Sequence, residues 1–414
     1  MKAIMYNLKM SKVIRKKIHL AGKYSMIKYR SDWPRPEIQH PRQVIVRPKI
    51  AGICASDLHQ INLGNISYAA SILARKDSPF PIGHEVIGVV EEVGDEVDSL
   101  KVGDRVTHSP VTSCACYGFD LCESCRAGRP ETCQAIAGIG DGTKLEEEYG
   151  GRLQFGGFGS GGFSELFVSY AGQFHKVPVE IPDDVAILSE PLAVALHAVK
   201  RKEPNDTDTI LVIGAGIIGL MVVRAIRWIN SKCKVIVLAR YPFQGEAAKK
   251  LGADVVITER DRNSLYQKVS EITGGNLLKP VMGSNIIYGG SGPDIIYDSV
   301  GRDSTLDDAL HLVKSNGTIV MVGMDFSVTK KTDWALAIYK ELNIFGSMMH
   351  GMEEDNGNSI DTFELAIDIM KEDQKLFEGL VTHKYQIDEY KTAFDVASNK
   401  GKNGAIKVAF DFGS

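Results

Sequence analysis

A long hydrophobic run is what this 414-residue sequence most plainly lacks. Its most apolar stretch, residues 210–223, is shorter than a bilayer span and is interrupted by Gly214, Gly216 and Gly219, so no membrane-spanning helix is expected. Excess positive charge is missing too. Lys and Arg number 48 against 52 Asp and Glu, a net charge of −4, which leaves no global field to hold nucleic acid or an anionic membrane. The first residues show no secretory apolar segment, and there is no internal repeat or low-complexity tract. No acid precedes Asp32; the Lys and Arg before it read as the solvated edge of the first strands, with a basic targeting arm as the alternative. An even cysteine count, as a disulfide framework would have, is also absent. The seven cysteines are an odd number and five crowd between Cys114 and Cys133, which suits metal thiolate in a reducing cytoplasm better than disulfides.

What remains is ordinary globular composition, 44% hydrophobic and 24% charged, over a length that suits two or three domains. Short strands are expected at 43–51, 86–93, 104–108 and 163–169, broken by Gly, Pro and Asp, the pattern of a β-rich, barrel-like domain. The glycine-dense stretch 138–162 reads as a connection, because no helix follows it to make a phosphate cradle. Near Pro191 the character changes. A helix at 192–200 precedes apolar strands at 209–213, 234–238, 254–257, 294–298 and 317–322, with helices between them, so a parallel sheet covered on both faces is expected: an α/β chain. The last seventy or so residues return to mixed structure, with a helix at 361–371 and a strand at 405–410.

The strand at 210–213 runs into Gly214-Ala-Gly216-Ile217-Ile218-Gly219 and then a helix. Gly214 permits the tight turn, Gly216 lets backbone approach a pyrophosphate, and Gly219 lets the helix lie close on the strand; the helix N-terminus then faces the phosphates. About twenty residues further on, where an acid would hold the adenosine ribose hydroxyls, stands Ala239, followed by Arg240. Without the acid nothing repels a 2′-phosphate, and a guanidinium can pair it bidentately, so NADP(H) is expected over NAD(H).

Cys54, His84, Glu85 and the distant Glu190 supply the thiolate, imidazole and carboxylate that a catalytic zinc accepts with a fourth position open. Each has a plainer alternative: a small buried hydrophobe, a satisfied core histidine, a helix N-terminal carboxylate. Cys114, Cys122, Cys125 and Cys133 would make a closed structural zinc site that ties down a loop too small for its own core, with Cys116 as the spare thiol.

Together the pieces resemble the zinc-dependent alcohol dehydrogenases of the medium-chain dehydrogenase/reductase superfamily. The resemblance rests on Gly52-Ile-Cys54-Ala-Ser56-Asp57-Leu-His59, Gly83-His84-Glu85-Val-Ile-Gly88, Gly103-Asp104-Arg105-Val106, the cysteine lobe, Glu190-Pro191-Leu192 and the Gly214–Gly219 turn. It implies a GroES-like β-rich catalytic domain over 1–186, a Rossmann NAD(P)-binding domain over 187–345 with a doubly wound parallel sheet, and a return to the catalytic domain over 346–414. It implies two zinc ions per subunit. Cys54 and His84 would hold the catalytic one, with Glu85 as ligand or close alternate and Glu190 at the carboxylate position of the sorbitol-dehydrogenase branch. Asp57 would orient His84, while Ser56 and His59 match the family's proton relay. The departures are a delayed second lobe cysteine, so that Cys116 could replace Cys114, and extra residues between Cys54 and His84, in 138–162 and in 276–292.

The expected chemistry is interconversion of a secondary alcohol or polyol with a ketone or aldehyde by hydride transfer to or from the nicotinamide. The enzyme is expected to be a cytoplasmic dimer or tetramer with no nucleic-acid or membrane partner. A threonine-3-dehydrogenase-like amino-alcohol enzyme is the nearest alternative. A zinc-free enone or quinone reductase would share the Rossmann unit without needing the cysteines, and a zinc-ribbon nucleic-acid protein is opposed by the charge.

Overall fold

A computed structural model describes residues 1–7, 10–17, 22–62, 80–134, 161–325, 329–355 and 357–413. Most of the glycine-dense stretch 138–162, and the extra residues between Cys54 and His84 up to 79, lie outside the described residues. Two compact units account for the chain, Met1–Glu190 with Gly351–Ser414, and Pro191–His350.

The first unit begins with β1 (Ala3–Tyr6), β2 (Ile27–Arg30), β3 (Gln43–Gly52), β4 (Phe80–Pro81), β5 (Glu85–Val93), β6 (Arg105–His108), β7 (Phe167–Tyr170) and β8 (Phe174–Lys176). The basic N-terminal segment carries the buried β1, paired on either side with β2 and β4. β7 is shorter than the strand expected at 163–169. The Ser164 hydroxyl donates to the Leu166 carbonyl at 2.7 Å and turns the chain before the strand starts.

The second unit is a six-stranded parallel sheet from β9 (Thr209–Ile213), β10 (Lys234–Leu238), β11 (Val255–Ile257), β14 (Ile295–Asp298), β15 (Thr318–Met321) and β16 (Asn343–Gly346), in the order β11-β10-β9-β14-β15-β16. Ile210, Leu211 and Val212 are all buried, which is why this central strand reads as an unbroken apolar run. The strand order reverses between β9 and β14, the place where an open α/β sheet receives a ligand. Within it, 276–292 forms a hairpin, β12 (Asn276–Leu278) with β13 (Ile286–Tyr288), pinned by the buried Ile287.

The chain then returns through β17 (Met352–Asp355), β18 (Asn358–Asp361), β19 (Val381–Tyr385) and β20 (Lys407–Asp411). β19 and β20 complete the first unit's large sheet, β19-β20-β3-β5-β6-β8, with β7 also on β3. One edge of β3 is held by β5 throughout, and the other is shared: β7 covers Gln43–Val46 and β20 covers Ile50–Gly52. Pro48, with no N–H to donate, sits between these two partners beside a register shift. This exchange of neighbours brings the C-terminal strand beside Gly52, two residues before Cys54.

Candidate active site

Past the end of β3 the chain stays tied to the sheet, because the Ile53 N–H donates to the Val408 carbonyl at 2.9 Å. Cys54 then caps the helix Ala55–Asn62. Asp57, in its first turn, accepts the Cys54 N–H at 2.9 Å, the return half of a capping box. The other Asp57 oxygen lies 3.7 Å from His84 Nδ1, both groups being buried. One carboxylate therefore steadies the backbone of the thiol and faces the imidazole. Gly83, at φ +95°, turns the chain into His84 where a side chain would collide with the Phe163 ring. The His84 carbonyl accepts from His108 Nδ1 at 2.9 Å.

These constraints converge. A sulfur of Cys54, a ring nitrogen of His84 and a carboxylate oxygen of Glu85 all lie within 4.8 Å of one another. Glu190, buried in the first turn of the helix Ser189–Arg201, is not within that distance of all three, although its charge acts on His84. Ser56 and His59 are half-buried on the helix that Cys54 caps, three residues apart and so on one face.

Glu85 is ion-paired with Lys407 of β20, and both side chains are only 1% exposed. Glu85 and Ala409 are the direct cross-strand partners of Gly52 on its two sides. A Cβ on Gly52 would overlap Glu85 Oε2 and approach Lys407 Cε to 2.8 Å. The glycine is the gap through which the pair meets.

The surrounding potential is negative. Burial, and next the charge of Glu85, push Glu190 up to about 7. Burial would push His84 down, but Asp57, then Cys54 and Glu190, outweigh it and bring His84 up to about 10. A sulfur, nitrogen and oxygen donor set in a buried anionic pocket fits a divalent cation of borderline softness, zinc.

In the cysteine lobe, Sγ atoms of Cys114, Cys122, Cys125 and Cys133 lie mutually within 4.8 Å. Cys114 and Cys133 are 3.5 Å apart and Cys122 and Cys133 4.0 Å, with every cysteine free. A zinc–sulfur bond of about 2.3 Å gives a tetrahedron with edges of about 3.8 Å, so this spacing fits a four-thiolate zinc site. Burial opposes ionisation of Cys122, yet N–H groups of Gln134 and Cys125 outweigh it and lower the thiol to about 6. Cys116 instead faces Ser113 and packs against Gly172, leaving Cys114 in the tetrad.

At the end of β9, Gly214 has φ +95° and lies under Val300, and a Cβ on Gly219 would overlap the Gly214 carbonyl. A Cβ on Gly216 would meet nothing within 4 Å. The first and third glycines serve the turn, and the second leaves room for something outside the protein. Ile217 and Ile218 open the helix Ile217–Ile229. Ala239 is buried beyond β10, and Arg240 is exposed.

Residues 40–179 match the family described as Alcohol dehydrogenase GroES-like domain, and residues 218–372 that described as Zinc-binding dehydrogenase. The chain belongs to the zinc-dependent alcohol dehydrogenases of the medium-chain dehydrogenase/reductase superfamily. It is similar to starvation-sensing protein RspB of Escherichia coli K12, 29% identical over 370 residues covering 89% of this chain and 92% of RspB. Saccharomyces cerevisiae (R,R)-butanediol dehydrogenase is 36% identical over 242 residues, 55% of this chain and 59% of that protein. The crystal structure of the rspB alcohol dehydrogenase of E. coli CFT073, complexed with NADH, superimposes with a TM-score of 0.71 at 27% identity, covering 100% of this chain and 99% of that one. As a member of this family the chain is an oxidoreductase that uses zinc and a nicotinamide cofactor. Among the described residues no helix is long and apolar enough to cross a membrane.

Sequence reasoning missed Lys407 and Gly52 as parts of this dehydrogenase's site. The available signal was a single lysine inside the otherwise apolar strand 405–410, because an unpaired buried lysine is costly and so points to a partner.

Proposed function

We propose that this dehydrogenase interconverts a secondary alcohol or polyol with its carbonyl compound, using NADP(H) in preference to NAD(H). The observation that carries the reading is the convergence of Cys54, His84 and Glu85 within 4.8 Å. Cys54, His84 and a carboxylate would hold the catalytic zinc, and Cys114, Cys122, Cys125 and Cys133 a structural one. Charge favours Glu190 as that carboxylate once metal is present, because Lys407 is ion-paired with Glu85, whereas burial and Glu85 still raise Glu190 to about 7 against the charges of His84 and Lys407. When bound, zinc supplies Lewis-acid polarisation of the substrate oxygen and the nicotinamide supplies hydride exchange.

The chain's own residues do the rest. Asp57 holds the Cys54 N–H and faces His84, which fixes both donors. Ser56 Oγ takes the substrate's hydroxyl proton, and His59, one turn along the same helix, passes it towards solvent. Gly214, Gly216, Ile217, Ile218 and Gly219 seat the pyrophosphate, and Ala239 with Arg240 selects the 2′-phosphate. The similarity to butanediol dehydrogenase supports a diol or secondary alcohol as substrate. The free cysteines support a reducing, cytoplasmic setting, and we assign a homo-oligomer, dimer or tetramer, by family habit.

The test is a panel of polyols, secondary alcohols, amino alcohols and aldehydes assayed with NADP(H) and NAD(H), alongside metal analysis and Cys54→Ser. Turnover on diols or secondary alcohols, abolished in Cys54→Ser while cofactor binding persists, is expected. Unchanged turnover in that variant removes zinc from the reaction, and turnover on amino alcohols alone replaces the substrate assignment.

A further inference from the structure

Beyond β10 and β11, two guanidinium groups lie against one aromatic ring. Arg240 lies 5.6 Å and Arg260 5.9 Å from the centroid of the Tyr241 ring. That ring is itself stacked on Phe243, 5.7 Å away and within 8° of parallel. An Arg260 Nη2–H donates to the Arg240 carbonyl at 3.4 Å, which ties the two segments together. Both arginines are exposed, and among the described residues neither has a carboxylate in ion-pairing range. The neighbouring acids are occupied elsewhere: Asp261 caps the next helix through the Ser264 N–H at 2.8 Å, and Glu259 accepts the Thr258 N–H at 3.0 Å. Two like charges gathered at one ring without a counter-charge repel each other, and a dianion held by both would offset that.

The place matters as much as the charge. Arg240 follows Ala239, which stands where an acid would take the ribose hydroxyls, and Arg260 comes off the neighbouring parallel strand at the same end of the sheet. We propose that Arg240 and Arg260 form a two-guanidinium clamp, floored by Tyr241, for a phosphate monoester on the 2′-position of the adenosine ribose. Arg260 is then a specificity-determining residue of the cofactor site. The inference rests on the NADP(H) preference proposed above and names a second residue that sets it.

A charge-assisted, forked hydrogen bond contributes roughly 1.5–3 kcal/mol, or about ten- to a hundredfold in affinity. The experiment is calorimetric titration of NADP+, NAD+ and 2′,5′-ADP into the full-length wild type, Arg240→Gln, Arg260→Gln and Arg260→Lys. Arg260→Gln is expected to weaken NADP+ and 2′,5′-ADP by about ten- to a hundredfold and to change NAD+ less than twofold, with Arg260→Lys in between. Unaltered melting temperatures in these exposed-site variants establish that the fold is intact. If wild type binds NADP+ no more tightly than NAD+, the cofactor reading fails and the clamp with it. If wild type prefers NADP+ and Arg240→Gln loses that preference but Arg260→Gln keeps full NADP+ affinity, the clamp alone is overturned.

Discussion

Replacing Lys407 by Met tests how the active-site pocket is held together. The substitution keeps the aliphatic stem and removes only the ammonium that faces Glu85, at a position where both partners are 1% exposed. Removing one member of a buried ion pair leaves the other charge uncompensated, which costs about 3–5 kcal/mol. That is a large share of the roughly 5–15 kcal/mol that stabilises a folded domain. Neutralising the survivor should recover most of the loss, so Lys407→Met with Glu85→Gln is expected to be more stable than Lys407→Met alone.

The assay is urea unfolding of chelator-treated protein, so that metal binding does not add stability of its own. Of the three tryptophans only Trp33 belongs to the catalytic unit, so a Trp228→Phe, Trp334→Phe background makes fluorescence report on that unit. The four corners of the cycle should give a coupling of more than about 2 kcal/mol. Additive single and double variants, or a Lys407→Met cost below about 1 kcal/mol, would refute the reasoning that Glu85 and Lys407 balance each other across Gly52.

Other substitutions separate structural from ligand-facing roles. Gly216→Ala should leave the melting temperature unchanged and weaken nicotinamide cofactor binding at least tenfold, because its Cβ meets no protein atom and would intrude on the space proposed for the phosphates; Gly219→Ala should lower the melting temperature, since its Cβ overlaps the Gly214 carbonyl. A finding that the two behave alike by scanning calorimetry and cofactor titration would count against the assigned division of labour. Cys114→Ser should lose one zinc per chain by metal analysis, whereas Cys116→Ser should lose none, and the reverse result would move the tetrad to Cys116. His108, wedged between Phe167 and Phe174, is pushed by burial from 6.5 down to about 4. Below pH 6.5 the unfolded chain takes up this proton and the native one does not, so about 3 kcal/mol should be lost as pH falls from 6.5 to 4. The stability difference between wild type and His108→Phe should narrow over that window, and parallel pH curves would contradict the assignment.

The parts of this molecule legible in its sequence are those whose physics is local. The strand at 209–213 shows because burial on both faces leaves a run of apolar β-branched residues, and the dinucleotide turn because three glycines answer three separate steric demands within six positions. The cysteine lobe shows because its four clustered thiols come from one short loop. The hairpin at 276–292 is hidden, since three-residue strands carry too little alternation to mark pairing, and what fixes them is Ile287 reaching the core. The strand expected at 163–169 is longer than the one that forms, because a hydroxyl's choice of the Leu166 carbonyl has no periodicity to betray it.

The catalytic pocket lies between these extremes. Cys54, His84 and Glu85 can be named one by one, because their residue types are the ones zinc accepts. The balance of charge among them cannot be read the same way, since Lys407 becomes meaningful only after β20 has been laid against β3 in a register that puts Gly52 between it and Glu85. That register follows from β3 changing neighbours at Pro48, a property of the whole sheet. Once it is known, the carboxylates stop being interchangeable. Glu85 is ion-paired with Lys407, whereas Glu190 is raised to about 7 by burial and by Glu85 against the charges of His84 and Lys407. The donor set is thus written in local motifs, while the ranking of its two carboxylates depends on strand topology.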